Sequence, residues 1–332
     1  MNINIQRQPN ENEEQYLWRI GKLIDSGIIS SWKAITPLIN EQWRDDETTY
    51  RDESSYRKKY NVAKLFYNNV FCDDSSVFRT ILSISDLHVP FQKPIETFSD
   101  YVGKVDILQL NGDIGDCQAI SRFSKTYRVS PMEELIKTRQ YIIELINYLN
   151  PKKVVINYGN HDLRFQNYFA KNLDTDLLEL MPKTSLELIF VDGFTHYNKQ
   201  QMTKVKYEPL KDVMTDCEIE YVDNWYCQIG KTIFCHPCAY SSAMMKTAEN
   251  AMTYFRNESY DFTSLIMAHT HKVGEYHVGN TTLYEQGCCC DTSKMNYSDG
   301  KLYKSQKEGF IFISQDKDGN IISDKTKLVC LN

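Results

Sequence analysis

VDILQLNGDIGD, residues 105–116, begins as a short apolar run and ends in a polar tip, Asn111-Gly112-Asp113-Ile114-Gly115-Asp116. The apolar part is too short for a helix and has the length of a buried strand. Four other stretches share its form: ILSISDLH (81–88), VVINYGNHD (154–162), TIFCHPC (232–238) and LIMAHTH (265–271). Each leaves an apolar run and presents Asp, Asn or His at its carboxyl end. Between the runs helical spacing returns, over Met132 to Leu149, with Leu135, Ile142, Ile146 and Leu149 on one face, and over Ser242 to Phe255. Strands alternating with helices predict an α/β layered core. In open α/β sheets ligand sites gather at strand carboxyl ends, so the five tips are expected to converge on one crevice. Five of the seven histidines stand in these tips; only His196 and His277 fall outside.

Beyond Val278 the pattern is of strands, Thr281–Glu285, Gly309–Ser314 and Ile321–Leu331, with Asp318-Gly319 as a hairpin turn signal. The first seventy residues differ in character. Leu17, Ile20, Leu23 and Ile24, then Trp32, Ile35, Leu38 and Ile39, fall at helical spacing, and Tyr56 to Val70 reads as a third helix. Cys-Asp-Asp-Ser-Ser at 72–76 reads as a linker. The expected division is a helical module with its linker over 1–76 and a second domain over 77–332.

Of the 332 residues, 42% are hydrophobic and 25% charged, which excludes wholesale disorder. No stretch approaches the roughly 18 apolar residues of a membrane span. The opening MNINIQRQPNENEEQY lacks the apolar core of a secretory signal, so a cytoplasmic protein without a membrane partner is expected. A net charge of −6 argues against a surface coated in basic residues, although a local basic stripe is compatible with it. Ten cysteines without repeating spacing, several inside apolar runs, read as reduced core thiols rather than a disulfide scaffold.

Carboxylate, imidazole and amide oxygen together suit divalent ions such as Mn²⁺, Fe²⁺ or Zn²⁺. Asp86 and His88, two apart at an extended strand end, point to the same side, and His269 and His271 stand in the same relation. Asp113 has two oxygens with which to bridge a pair of ions about 3.5–4 Å apart, the spacing of two-metal phosphoester sites.

These motifs resemble those of the calcineurin-like metallophosphoesterase superfamily. D-x-H (Asp86, His88), G-D-x-x-D (Gly112, Asp113, Asp116), G-N-H-D (Gly159 to Asp162), a lone H (His236) and x-H-x-H (His269, His271) occur in the family order, over about residues 79–315. The resemblance implies a β-sandwich flanked by helices, a four-layer αββα architecture, beside the small N-terminal helical domain. It implies two divalent ions, with Mn²⁺ expected and Fe²⁺, Zn²⁺, Ni²⁺ or Mg²⁺ as alternatives. Asp86, His88 and His271 would bind one; Asn160, His236 and His269 would bind the other, with Asp113 between them. His161 would assist the leaving oxygen and Asp116 would orient its imidazole, while a hydroxide bridging the metals attacks phosphorus. Ala268 stands where the family usually has Gly, and Cys117 and Asp162 replace the Arg and Glu of protein phosphatases. The stretch from Asp113 through Ser121-Arg122-Phe123 to Glu133-Glu134 is similar to phosphoesterases encoded by bacteriophages, for which the host cytoplasm would be the location.

Arg122 and Arg164 are candidate contacts to substrate phosphate, or else partners of surface acids. Cys235-His236-Pro237-Cys238 has the spacing of a redox or zinc motif, but its histidine is already assigned to the metal pair. A zinc site that includes Cys288–Cys290 meets the objection that three consecutive cysteines cannot all face one ion. In the front module, Trp32, Ile35 and Ile39 with Arg57, Lys58, Lys59 and Lys64 resemble the framework and basic third helix of helix-turn-helix or Myb-like modules, which would meet DNA phosphates. The acids Asp45, Asp46, Glu47, Asp52 and Glu53 favour the alternative of an interaction bundle. The function expected is a two-metal phosphodiesterase acting on nucleic acid. A hydrolase of small nucleotides, and a DNA-binding protein with a structural metal centre, are the alternatives. Oligomeric state is not read from the sequence.

Overall fold

The structure is a computed structural model that describes residues 5–9, 11–70, 76–122, 129–199, 202–295 and 305–331, with the backbone alone over 65–70. The proposed linker residues Cys72–Ser75, and Phe123, lie outside the described residues. The chain forms two compact units, 1–75 and 76–332.

The first unit is three helices, α1 (Glu13–Asp25), α2 (Trp32–Trp43) and α3 (Glu53–Val70). Asn12 and Gln15 cap α1 reciprocally, and Ser31 accepts from the Ala34 N–H at the start of α2. Tyr16, Leu17, Ile20, Trp32, Ile35, Ile39, Tyr56 and Tyr60 make its core. Gly21 lets α3 approach: a Cβ there would stand 2.2 Å from the Tyr60 ring. The third helix starts at Glu53, earlier than its apolar spacing predicts, because the Asp52 carboxylate accepts from the Ser55 N–H at 2.9 Å.

The second unit contains strands β1 (Arg79–Ile84), β2 (Ile107–Asn111), β3 (Lys153–Asn157), β4 (Phe194–Asn198), β5 (Thr203–Tyr207), β6 (Glu218–Val222), β7 (Tyr226–Ile229), β8 (Thr232–Cys235), β9 (Ser264–Met267), β10 (Val273–Val278), β11 (Thr281–Gln286), β12 (Glu308–Gln315) and β13 (Lys327–Leu331). Its longer helices are α4 (Pro131–Leu149), α5 (Arg164–Asn172) and α6 (Lys246–Asn257). One sheet has the order β13-β12-β1-β2-β3-β6, the second β10-β11-β9-β8-β7, and β4-β5 is a separate hairpin. Strands β1, β2, β3 and β6 run parallel, as do β8, β9 and β11.

Strand alternation builds four layers, because neighbouring side chains leave opposite faces of a strand. Ile81, Val155, Phe234 and Ile266 meet between the sheets. Their neighbours Leu82, Val154 and Ile156 pack with Leu135, Ile142, Leu145 and Ile146 of α4. On the far side Ile233, Cys235, Leu265 and Met267 pack with Ala248, Ala251, Met252 and Phe255 of α6. Each fully buried side chain of this size contributes roughly 1.5–3 kcal/mol. The result is the expected αββα sandwich.

Three boundaries differ from the sequence reading, each for a local reason. The helix expected from Ser242 starts at Lys246. Met245 is left-handed (φ 56°), and the carbonyls of Ser241, Ser242 and Ala243 accept from Lys272 Nζ. The strand expected over Ile321–Leu331 is divided: Ile321 pairs only with Gln315, a 3₁₀ turn covers Ser323–Lys325, and β13 begins at Lys327. The helix expected from Met132 gains Pro131 as its first residue, behind a Ser130 cap.

Candidate metal centre

The five tips are drawn together by backbone bonds that continue the parallel pairing past the strand ends. Asp86 N–H donates to Gly112 O, His88 N–H to Asp113 O and Ala268 N–H to Cys235 O. Asp162, buried, accepts with Oδ2 from the N–H groups of both Asp113 and Gly159, at 2.8 Å each, and so ties the β2 tip to the β3 tip. The turns are tight enough that Asp86, His88, Asp113, His269 and His271 all take left-handed backbone conformations, φ 47° to 75°. For non-glycine residues this is strain of order 1–3 kcal/mol each, the kind that persists where surrounding structure imposes it. Gly159 sits so close beneath Asp113 that a Cβ would lie 2.2 Å from its Oδ1.

Every sequence-predicted ligand arrives at one crevice. Asp86, His88 and His271 form one group of converging donor atoms, and Asp113, His236 and His269 form an adjoining one. In the first, His271 Nε2 lies 3.1 Å from Asp86 Oδ1 and 3.3 Å from His88 Nε2. In the second, His236 Nε2 lies 3.2 Å from Asp113 Oδ2. Asn160 lines the same pocket, and its buried Oδ1 accepts no hydrogen bond. A buried carboxamide oxygen without a donor is costly unless a cation or donor meets it. Oxygen and imidazole donors packed at these separations fit a pair of borderline divalent ions.

The rings are held by their far nitrogens. His236 Nδ1–H donates to Asn111 O at 2.7 Å, His271 Nδ1–H to Gln306 Oε1 at 2.5 Å, and His161 Nδ1–H to Asp116 Oδ1 at 3.0 Å. His88 Nδ1 faces the same Asp116 oxygen at 3.2 Å. In all four the Nε2 side is turned into the crevice, the orientation that outer hydrogen bonds impose on metal-binding histidines. Asp113 Oδ1 accepts the His161 N–H at 2.7 Å and keeps a further lone pair. Oδ2 faces His236 (3.2 Å), His161 (3.8 Å) and His88 (3.9 Å).

Electrostatics follow from burial and carboxylates. Burial, followed by His236, pushes His269 down to about 3, so its ring is neutral. Burial opposes charge on His236 too, but Asp113 and Asp86 outweigh it and push it up to about 9. Asp116 is held below the carboxylate range: burial raises it, and the His161 and His88 contacts overcome that. Burial, with Asp116 adding to it, pushes Glu134 up to about 7 while it accepts from the N–H groups of Cys117 and Gln118.

Arg164, at the start of α5, donates to the Asp116 carbonyl at 2.6 Å and lies 2.8 Å from His161 Nε2. Arg122, exposed, lines the same crevice of about 400 Å³. A trough of about 700 Å³ continues from it, lined by Arg122, Arg164, Asn167, Tyr168, Lys171 and Asn172 among others. In the first unit, Lys59 pairs with Glu13 at 2.8 Å and Lys64 with Asp25 at 2.7 Å, whereas Arg57 and Lys58 are exposed. Among the described residues no helix is long and apolar enough to cross a membrane. Sequence reasoning missed Gln306, the α5 face of the trough, and the tie made by Asp162. Only Asp162 left a sign, as the last letter of a motif.

The family model for calcineurin-like phosphoesterases matches residues 79–273, and that for the YonJ N-terminal domain matches residues 1–70. No curated protein matches the chain. Among solved structures the chain is similar to a single mutant of Vps29 from Entamoeba histolytica, at 16% identity and TM-score 0.35, over 76% of this chain and 99% of that one. It is also similar to an archaeal phosphodiesterase, at 15% identity and TM-score 0.34, over 76% and 99%. A predicted phosphoesterase from Streptococcus pneumoniae matches at 13% identity and TM-score 0.29, over 76% and 98%.

Proposed function

The chain belongs to the calcineurin-like phosphoesterase family, a metal-dependent phosphoester hydrolase family, and from that premise we propose that it is a two-metal phosphodiesterase whose substrate is nucleic acid. Asp86, His88 and His271 would hold one ion and Asn160, His236 and His269 the other, with Asp113 Oδ2 shared. Bound there, the ions supply Lewis acidity and lower the pKa of a coordinated water towards neutrality. Manganese is the ion we expect.

The protein's own groups then do the rest. His161 gives Nδ1–H to Asp116 and accepts from Arg164 at Nε2, so the Nε2 lone pair faces the crevice; a proton taken up there once the guanidinium turns to the substrate would pass to the departing oxygen. Asp116 stabilises the imidazolium that makes this donation. Arg164, fixed by the Asp116 carbonyl at the crevice, would offer its remaining guanidinium N–H groups to a non-bridging phosphate oxygen. The mouth adds Arg122.

The observation that carries the nucleic-acid reading is the trough along α5. Arg164, Asn167, Tyr168 and Lys171 recur at the spacing of one helix face, and among the described residues the trough lining includes no acidic one. Cations track a phosphate chain, exposed Tyr168 offers a ring on which a base can stack, and amides can bond base edges. In the front unit, Arg57 and Lys58 are the proposed DNA contacts, since Lys59 and Lys64 are already ion-paired. The size of the crevice, about 400 Å³, favours a second reading in which a single small nucleotide is hydrolysed.

Mn²⁺-dependent cleavage of a single-stranded oligonucleotide, compared with bis-p-nitrophenyl phosphate, separates the two. Under the first reading Lys171→Glu lowers kcat/KM on the oligonucleotide about tenfold, the worth of one charge contact, and leaves the small ester unchanged. Equal rates on both substrates in wild type and variant would favour the small nucleotide.

A further inference from the structure

Behind His271 lies a pair of thiols that the hydrolytic reading does not use. The chain leaves β11 through Gly287 and bends at Cys289 between two isolated bridges, Cys288 with Glu308 and Cys290 with Gln92, held by Cys288 N–H to Lys307 O and Cys289 N–H to Ser85 O. Cys289 packs into the main core, where its Sγ donates to Gly309 O at 3.2 Å. Cys288 and Cys290 share the other side, buried against Phe91 and Met295. The objection that three consecutive cysteines cannot face one ion therefore does not apply, because only two of them do.

The Sγ atoms of Cys288 and Cys290 and a ring nitrogen of His271 all lie within 4.8 Å of one another, and all three residues are buried. Two sulfurs and an imidazole converging in a buried corner are a donor set of a different kind from the oxygen-rich crevice next door. Thiolate sulfur selects thiophilic ions, and two cysteines with one histidine is a three-ligand arrangement that leaves a fourth position open. We propose that Cys288, Cys290 and His271 form a third cation position that takes a thiophilic divalent ion of the zinc class and shares His271 with the Asp86/His88 pocket.

Sharing has a consequence. His271 has Nδ1 committed to Gln306 and Nε2 directed at Asp86, so its ring cannot serve both positions without rearranging. An ion held by the thiols then competes with the ion at Asp86 and His88. Excess Zn²⁺ is expected to inhibit the Mn²⁺-loaded protein, and the inhibition should be lost when the thiols are replaced. The inference adjoins the proposed hydrolytic site, but its main readout is spectroscopic and survives if no phosphodiester is cleaved.

The test is titration of the full-length, reduced, metal-free protein with Co²⁺, followed by near-ultraviolet absorption. Wild type should develop a thiolate-to-cobalt charge-transfer band that disappears in Cys288→Ser/Cys290→Ser. The same band should persist in Cys238→Ser, which removes the exposed thiol at the crevice mouth. Circular dichroism and thermal melting establish that each variant is folded. If the double variant is not, Cys290→Ser alone should weaken the band. No band at any Co²⁺ ratio, or one that follows Cys238 instead, would overturn the proposal.

Discussion

Asp116→Asn tests how a single buried carboxylate governs two imidazoles. Asp116 Oδ1 accepts from His161 Nδ1 at 3.0 Å and stands 3.2 Å from His88 Nδ1. The substitution keeps shape and removes charge. A hydrogen bond to a charged group is worth about 1.5–3 kcal/mol. Losing it at His161 destabilises the imidazolium needed for proton delivery and should lower kcat by roughly 10–100-fold at saturating metal, at about 1.4 kcal/mol per decade. At His88 the same loss weakens the orientation of a metal-facing ring, for which a 10–100-fold fall in affinity is expected. The effect should be confined to the ion near Asp86, because the His236 ring is held by Asn111 and not by Asp116. Calorimetric metal titration with kinetics on bis-p-nitrophenyl phosphate separates the two effects. A variant with kcat within twofold of wild type, or with both ions weakened equally, would refute the reasoning.

Three further outcomes follow from the geometry. In the metal-free protein His236 is pushed up to about 9, so a proton must leave when a cation binds; affinity should rise with pH between about 6.5 and 9, by up to tenfold per unit, and flat Kd values across that range would contradict this. Gly159→Ala places a Cβ against Asp113 Oδ1 and should abolish measurable hydrolysis while far-ultraviolet dichroism stays native; retained activity would show that Asp113 tolerates displacement. Glu134, pushed up to about 7, carries a proton in the folded state that the unfolded chain gives up near its ordinary 4.5, so stability falls as pH rises through that window, by up to about 3 kcal/mol. Asp162 acts in the same direction. Urea unfolding of metal-free Glu134→Gln should show a shallower decline between pH 5 and 7, and an unchanged slope would remove Glu134 as the cause.

The sandwich was legible because its signals are local and repeated. Runs such as Thr232–Cys235 carry alternate faces of two different cores and end in the polar tip that the site requires. The convergence of the proposed ligand positions was legible for the same reason, since a strand end fixes where its next residues go. What the sequence hid depends on distant partners. Nothing near Ser242 signals that Lys272 will engage the carbonyls of Ser241 to Ala243 and delay α6. Gln306 orients His271 from 35 residues away, and a glutamine in a polar stretch carries no periodic signal. The hairpin β4-β5 is largely exposed, so no buried face imposed a readable pattern. The side on which Cys288 and Cys290 lie is decided by the register of the chain across Ser85 and Lys307.

The central claim is that two cations share one oxygen of Asp113. Anomalous diffraction from crystals of the full-length protein grown with Mn²⁺ addresses it directly. Two peaks about 3.5–4 Å apart are expected, both bonded to Asp113 Oδ2, one beside Asp86, His88 and His271 and the other beside Asn160, His236 and His269. A single peak, or two peaks with no common Asp113 oxygen, would contradict the account.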